Sequence, residues 1–113
     1  MLEKIEFAWL AELNREPYFN TVMGRVNDHV VRVSVMTSAY PWHSHPNSDE
    51  TFIGVEGVVV IETLEGVVEL TPGSCVTVPR NVVHRTRPKG ERSVNLTVER
   101  GDLETVIITI FLV

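Results

Sequence analysis

The sequence predicts an all-β domain built from short antiparallel strands, and three observations support this prediction. Valine occurs 20 times against 3 alanines, and Val, Ile and Thr together make 36 of the 113 residues. Their β-branched side chains are stiff at χ1 and suit a pleated sheet better than a helix. Apolar and polar residues alternate along several short segments, and turn-forming residues separate those segments. Together these features are typical of a sandwich or barrel.

The length, the charge and the cysteine content narrow the class of protein. The length fits one domain, residues 1–113, with a single hydrophobic core. The net charge of −5 disfavours nucleic-acid binding, which needs a basic face. The longest apolar run, eight residues at 106–113, is too short to cross a membrane. No signal peptide is evident and there is one cysteine, so we expect a cytoplasmic protein with Cys75 as a small buried residue.

The chain begins with one ambiguous segment and one clear hairpin. Residues 5–13 are compatible with either a short amphipathic helix or a first strand. Residues 18–26 and 29–37 flank Asn27-Asp28, a two-residue turn signal, and therefore predict a β-hairpin. In its second strand the odd-numbered valines share one face and Arg32 lies on the other. We expect Arg32 to be exposed to solvent, whereas an inward position would let it bind an anionic ligand.

The rest of the chain reads as a series of short strands. Gly57 and the dipeptide Pro72-Gly73 mark turns, and the segments before and after residues 64–66 are expected to pair with each other. With the hairpin, this gives about ten strands. The further predicted strands cover residues 42–45, 50–55, 58–63, 67–71, 75–79, 84–87, 94–99 and 105–112.

The segment of residues 42–50 has the strongest chemical signal. His43 and His45 are two positions apart, so a strand places both imidazoles on one face, with α-carbons about 6–7 Å apart. Glu50 opens the next strand after a short polar loop, from which its carboxylate can point at the same place. Two histidines and one carboxylate form a set that binds non-haem iron, and His84 adds a third imidazole. These four residues are our candidate metal ligands; the alternative is that they are ordinary polar residues of strands.

The spacing of these residues resembles the two motifs of the cupin superfamily. The first motif, G-x5-H-x-H-x3–4-E-x6-G, corresponds to residues 37–57 and is matched at His43, His45, Glu50 and Gly57. The second, G-x5-P-x-G-x2-H-x3-N, corresponds to residues 73–88 and is matched at Gly73, Pro79 and His84. The resemblance extends over residues 30–100 and is closest to small single-domain members of the group called phosphomannose-isomerase-like.

Three positions depart from these motifs, and none of them is a ligand position. Thr37 and Asn81 stand where the motifs have glycine, and Pro88 stands where the second motif has asparagine. Asn tolerates positive φ better than most residues, so the turn at Asn81 is expected to form. The departures therefore affect loop geometry rather than the ligand set.

The resemblance implies a fold, a metal and an assembly. The fold is a small antiparallel jelly-roll barrel, and the cofactor is one divalent transition metal (Fe, Mn, Ni or Zn) bound by His43, His45, Glu50 and His84. Imidazole and carboxylate ligands do not select among these ions. The resemblance also implies a homodimer, for which the apolar segments 7–13 and 106–113 are plausible interface pieces.

Two classes of function remain open from the sequence. The chain is either a metal-dependent enzyme acting on a small organic molecule, of the dioxygenase, isomerase or decarboxylase type, or a non-catalytic cupin that binds a small ligand or metal for storage or sensing. In both cases the partner is a small molecule rather than a nucleic acid or a membrane. We identify no second acid–base group, and Thr86, Asn95 and Thr97 are the candidates for orienting the ligating imidazoles.

Overall fold

The computed structural model describes residues 2–13 and 16–109, apart from the side chains of residues 10, 11 and 13. The ambiguous first segment forms a short helix, α1 (Phe7–Leu13). The ten strands that follow are β1 (Tyr18–Val26), β2 (His29–Met36), β3 (Tyr40–Ser44), β4 (Glu50–Glu56), β5 (Val59–Thr63), β6 (Gly66–Leu70), β7 (Cys75–Val78), β8 (His84–Pro88), β9 (Ser93–Arg100) and β10 (Val106–Ile107). The predicted last strand is therefore shorter than expected within the described residues, and its positions 110–112 lie outside them.

The strands form two five-stranded sheets, and all of their pairings are antiparallel. Sheet I has the order β1-β2-β9-β4-β7, and sheet II has the order β10-β3-β8-β5-β6. Strands that are distant in the chain lie side by side, as β2 and β9 do, which is the pattern of a jelly roll. This confirms the predicted all-β class and jelly-roll fold. Among the described residues, no helix is long and apolar enough to cross a membrane.

The predicted hairpin is present with the expected turn. Val26 is the partner of His29, and Asn27 between them has a φ of 56°. Asparagine adopts this left-handed conformation more readily than most residues. The pairing of 59–63 with 66–70 is confirmed as well.

The core occupies both faces of sheet I. One cluster fills part of the space between the two sheets and consists of Met36, Phe52, Val59, Ile61, Leu70 and Val78. A second cluster of Val33, Val35 and Val94 packs beneath Phe19, Met23, Val55 and Leu96. In β2, Val33 and Val35 belong to the second cluster, whereas the even-numbered residues from Arg32 to Met36 point between the sheets. Burial of each apolar side chain in these two clusters stabilises the fold by about 1.5–3 kcal/mol.

The prediction that Cys75 is buried is wrong. Its side chain is exposed, not buried. It begins β7, an edge strand of sheet I, where Val78 is the buried residue. The alternation of side chains along a strand places Cys75 on the outer face.

Candidate metal centre

The four candidate ligands come from both sheets and meet between them. His43 lies in β3, and its partner across sheet II is His84, the first residue of β8. Glu50 is the first residue of β4 in sheet I, and His45 follows directly after β3. The ring centroids of His43 and His84 are 4.2 Å apart, and those of His43 and His45 are 4.8 Å apart. His43 and His45 lie together because they are two positions apart in the chain. The pairing of β3 with β8 adds His84 to this cluster.

Backbone carbonyls fix the orientation of all three imidazoles. Nδ1 of His43 lies 2.7 Å from the carbonyl oxygen of Pro41, and Nδ1 of His84 lies 2.8 Å from that of Val82. Nδ1 of His45 lies 2.9 Å from the carbonyl oxygen of Glu104. A carbonyl oxygen only accepts hydrogen bonds, so each Nδ1 carries the proton and donates it. In each neutral ring Nε2 is then left with a free lone pair, which is the arrangement found in metal-binding histidines.

The inward-facing atoms fit a metal ion. Nε2 of His45 and Nε2 of His84 each lie 3.4 Å from Oε1 of Glu50. These three atoms are buried and have no hydrogen-bond partner among the described residues. One ligand atom from each of the four residues lies within 4.8 Å of the others. Metal–ligand bonds of about 2.1 Å, as zinc forms them, hold two ligand atoms at most about 4.2 Å apart. A small inward movement of the four side chains would therefore complete such a site.

Burial and the neighbouring charges set the protonation of the cluster. Burial lowers the pKa of His43 to about 4, with a smaller contribution from the adjacent His84 and His45. His43 is therefore neutral near pH 7, as a metal ligand must be. Burial also disfavours the charged form of His45, but the Glu50 carboxylate outweighs it and raises the pKa of His45. Burial alone would raise the pKa of Glu50, but its contacts with His45, His84 and Glu99 outweigh burial and lower this pKa.

A cavity of about 320 Å³ adjoins the cluster between the two sheets. His43, His45 and Glu50 line it, together with aromatic and polar side chains of sheet I. This volume lies at the small end of the range for ligand pockets. The ring of Phe52, also in the wall, is 6.3 Å from that of His84, measured between centroids.

The sequence prediction placed Arg32 wrongly and did not identify Glu99 as a residue of the cavity. Arg32 was expected in solvent, but its side chain is only 28% exposed, and its Nε lies 3.0 Å from Oε1 of Glu99. Arg32 Nη1 donates a hydrogen bond of 3.2 Å to Oδ1 of Asn20. Burial and the nearby Glu50 raise the pKa of Glu99, against the effect of Arg32. The cavity therefore does contain a second carboxyl group beside the candidate ligands.

Alternation along β9 is the signal that could have found Glu99. Asn95, Thr97 and Glu99 are two positions apart and all three line the cavity. The role predicted for Thr86, Asn95 and Thr97 is wrong, however. They line the cavity, but backbone carbonyls orient the imidazoles, and the hydroxyl of Thr86 donates to Sδ of Met36 at 3.6 Å. A side chain that was not predicted for this role, Thr105, places its Oγ1 3.2 Å from Nδ1 of His45.

The turn at Asn81, where the motif has glycine, keeps the expected geometry. Asn81 has a φ of 69°, so it takes the left-handed conformation that the motif glycine would supply. Its N–H donates a hydrogen bond of 2.9 Å to the carbonyl oxygen of His45 and so ties the turn to a candidate ligand. On the other side of the loop, Oδ1 of Asp49 accepts a hydrogen bond of 2.9 Å from the N–H of Arg80.

Comparison with known proteins agrees with this architecture. The cupin domain profile matches residues 29–103. An uncharacterized protein of Bacillus subtilis (strain 168), YdbB, is 43% identical over 95 residues, covering 83% of each chain. A cupin-2 domain containing protein from Shewanella frigidimarina has a TM-score of 0.78 at 24% identity, covering 85% of this chain and 93% of that one.

More distant solved structures share the fold. A double-stranded beta-helix protein from Klebsiella pneumoniae has a TM-score of 0.80 at 17% identity and covers 97% of this chain and 100% of its own. The DMSP lyase DddQ from Ruegeria pomeroyi has a TM-score of 0.70 at 22% identity, covering 92% of this chain and 59% of that one. The extent of the profile match and the identity to the Bacillus protein show that the chain belongs to the cupin domain family.

Proposed function

We propose that His43, His45, Glu50 and His84 bind one divalent transition metal, and that the chain is a metal-dependent enzyme acting on a small polar organic molecule. The reaction is of the isomerase, decarboxylase or dioxygenase type. One observation carries this proposal. Buried ligand atoms without hydrogen-bond partners converge beside a cavity that is large enough for a small molecule. Buried polar atoms without partners are costly to fold, so they indicate a bound group.

The residues of the chain have separate roles in this proposal. A bound divalent ion supplies Lewis-acid chemistry by polarising an oxygen of the substrate. Three neutral imidazoles and one carboxylate leave a net charge of about +1 on such an ion, which favours an anionic oxygen ligand. The carbonyls of Pro41, Val82 and Glu104 keep the imidazoles turned inward. Glu99 lines the same cavity and offers a carboxyl group for proton transfer to the substrate.

Arg32 supports this assignment for Glu99. Arg32 lies beside this carboxyl group, with Nε 3.0 Å from Oε1 of Glu99, and Asn20 in turn accepts a hydrogen bond from Arg32. This ion pair and the burial of Glu99 keep the carboxyl group at the cavity wall. Isomerisation and decarboxylation both require a proton transfer. Dioxygenase chemistry requires iron and O2.

The test is elemental analysis of protein purified without added metal or chelator. We expect about one transition-metal ion per chain in the wild type and loss of that ion in His43→Ala. His29→Ala is the matched control, because His29 is exposed and lies outside the cluster. An absence of metal in the wild type, even after reconstitution, would contradict the proposal.

The identity of the metal separates the reaction types. Iron favours dioxygenase chemistry, whereas Mn, Ni or Zn leaves isomerase and decarboxylase chemistry. A metal-loaded protein that binds small molecules but returns them unchanged would instead support storage or sensing.

We further propose that the chain forms a homodimer in the cytoplasm. Val106 and Ile107 of the edge strand β10 are 49% and 57% exposed. Exposed apolar edge strands favour association with another chain. A second copy covering β10 would remove this apolar surface from water.

A further inference from the structure

The wall of the cavity that β9 forms carries polar atoms that no other described residue satisfies. Asn95 is 1% exposed and Thr97 is 4% exposed. Oδ1 of Asn95 and Oγ1 of Thr97 are buried without a hydrogen-bond partner among the described residues. Neither residue belongs to the candidate metal ligands, and neither contacts the ligating imidazoles through a hydrogen bond in the structure. The metal proposal therefore leaves these two side chains unexplained.

Asn95 and Thr97 lie in the wall of the cavity that adjoins the candidate metal ligands. Thr97 is paired with Phe52 of β4 on one side and with Arg32 of β2 on the other. Asn95 is paired with Ser34 and Gly54. On the β4 side, the backbone of Thr71 and Pro72 occupies the position that a side chain at Gly54 would fill. Both residues line the same cavity as His43, His45 and Glu50.

We propose that Asn95 and Thr97 form a subsite that recognises hydroxyl groups of the ligand, so that the substrate class is a small hydroxylated carboxylate. This inference deepens the proposed function and rests on it only for the placement of the carboxylate end near the metal. The amide oxygen of Asn95 requires a donor, and the hydroxyl of Thr97 both donates and accepts. A ligand hydroxyl group meets both requirements.

A hydroxyl group fits these surroundings without adding a charge. The guanidinium of Arg32, beside Thr97, is already paired with the carboxyl group of Glu99, and a bound divalent ion would carry a net charge of about +1. A neutral donor therefore satisfies Asn95 and Thr97 without electrostatic repulsion. An apolar substituent would leave both oxygens buried and unsatisfied, and a site built for hydroxyl groups rejects such analogues strongly.

The experiment compares two acids of equal carbon number, L-threonate (2,3,4-trihydroxybutanoate) and butanoate, by isothermal titration calorimetry. Both carry the same carboxylate, so the difference between them reports the hydroxyl contacts. We expect the wild type to bind threonate at least about tenfold more tightly, since each hydrogen bond to a buried partner changes affinity about fivefold to tenfold. Equal affinities for the two acids, or no threonate binding by the folded wild type, would overturn the inference.

Three variants locate the preference on β9. Thr97→Val removes the hydroxyl group and is expected to reduce the preference for threonate about fivefold. Thr97→Ser keeps the hydroxyl group and should retain the preference, which separates recognition from a general disturbance of packing. Thr77→Val is the matched control, because Thr77 is exposed on β7 and does not line this cavity. A preference that survives unchanged in folded Thr97→Val would overturn the inference.

Measurement of the metal content in the same samples separates the two proposals. Bound metal without any preference between the acids leaves the metal proposal standing and removes the subsite. A preference for threonate in protein that binds no metal supports the subsite and removes the metal proposal.

Discussion

Replacing His84 by leucine tests the metal centre through the stability of the fold rather than through activity. His84 is 1% exposed, and its Nε2 is one of the unpartnered atoms facing Glu50. Leucine fills a similar volume but offers no ligand atom. A metal that binds only the folded state stabilises it by RT ln(1 + [L]/Kd). The change in thermal midpoint on adding metal therefore reports the affinity of the site, even where the substitution alters the stability of the metal-free protein.

The ligand set gives the expected magnitude. Losing a partner of a metal ligand typically weakens binding 10–100-fold, so losing a ligand outright weakens it at least about 100-fold. At an ion concentration of 100 times the wild-type Kd, the wild type gains about 2.7 kcal/mol. The variant then gains only about 0.4 kcal/mol at that ion concentration. For a domain of this size, at about 4 °C per kcal/mol, the midpoints rise by roughly 11 °C and less than 2 °C respectively.

The assay is thermal unfolding followed by circular dichroism, once with the metal and once with a chelator. His29→Leu is the control and should rise as the wild type does, since His29 is exposed beside the first hairpin turn. Equal metal-induced rises in His84→Leu and the wild type would refute the reasoning and remove His84 from the ligand set.

Four other predictions concern the rest of the fold. Asn81→Val should destabilise the protein by about 1–2 kcal/mol in urea unfolding, because φ is positive there, while Asn81→Gly stays close to the wild type. Arg87 and Arg85 lower the pKa of Glu62. The stabilisation by this carboxylate is therefore fully present above the ordinary glutamate pKa and is lost as the pH falls through the lowered one. Glu62→Gln should lose up to about 1 kcal/mol at pH 7 and nothing in strong acid, and an equal loss at both pH values would contradict this. Cys75, being exposed, should react with a thiol reagent in the folded protein, and protection until unfolding would contradict its exposure. Light scattering should give twice the mass of one chain, and a monomer at all concentrations would remove the homodimer.

The cluster of candidate ligands was predictable because local spacing encodes most of it. His43 and His45 share a face by the alternation of a strand, and Glu50 follows after a loop of four residues. Asn81 was predictable too, since its tolerance of positive φ is a property of the residue itself. Even the carbonyls that orient His43 and His84 are local, each belonging to the residue two positions before the histidine.

What the sequence did not reveal depends on contacts between distant strands. Arg32 meets Glu99 because β2 pairs with β9, and this pairing is not visible in either segment alone. The alternation in β2 correctly separates its residues into two faces. It does not show which face is exposed to solvent, and in the structure both faces are buried. Cys75 was misplaced for a different reason. Its residue type favours burial, but its position in an edge strand decided the outcome.

The division of the space between the sheets links stability with function. Met36 and Phe52 belong to the apolar cluster and also line the cavity, so one layer of side chains separates the core from the site. On the polar side, atoms of Glu50, Asn95 and Thr97 are buried without partners, and each such atom lowers the stability by about 1–3 kcal/mol unless a ligand satisfies it. Apolar residues at these positions would give a more stable empty barrel. The chain therefore gives up folding stability at these positions, and a bound metal and a polar ligand would restore it, which is the pattern expected of a binding site.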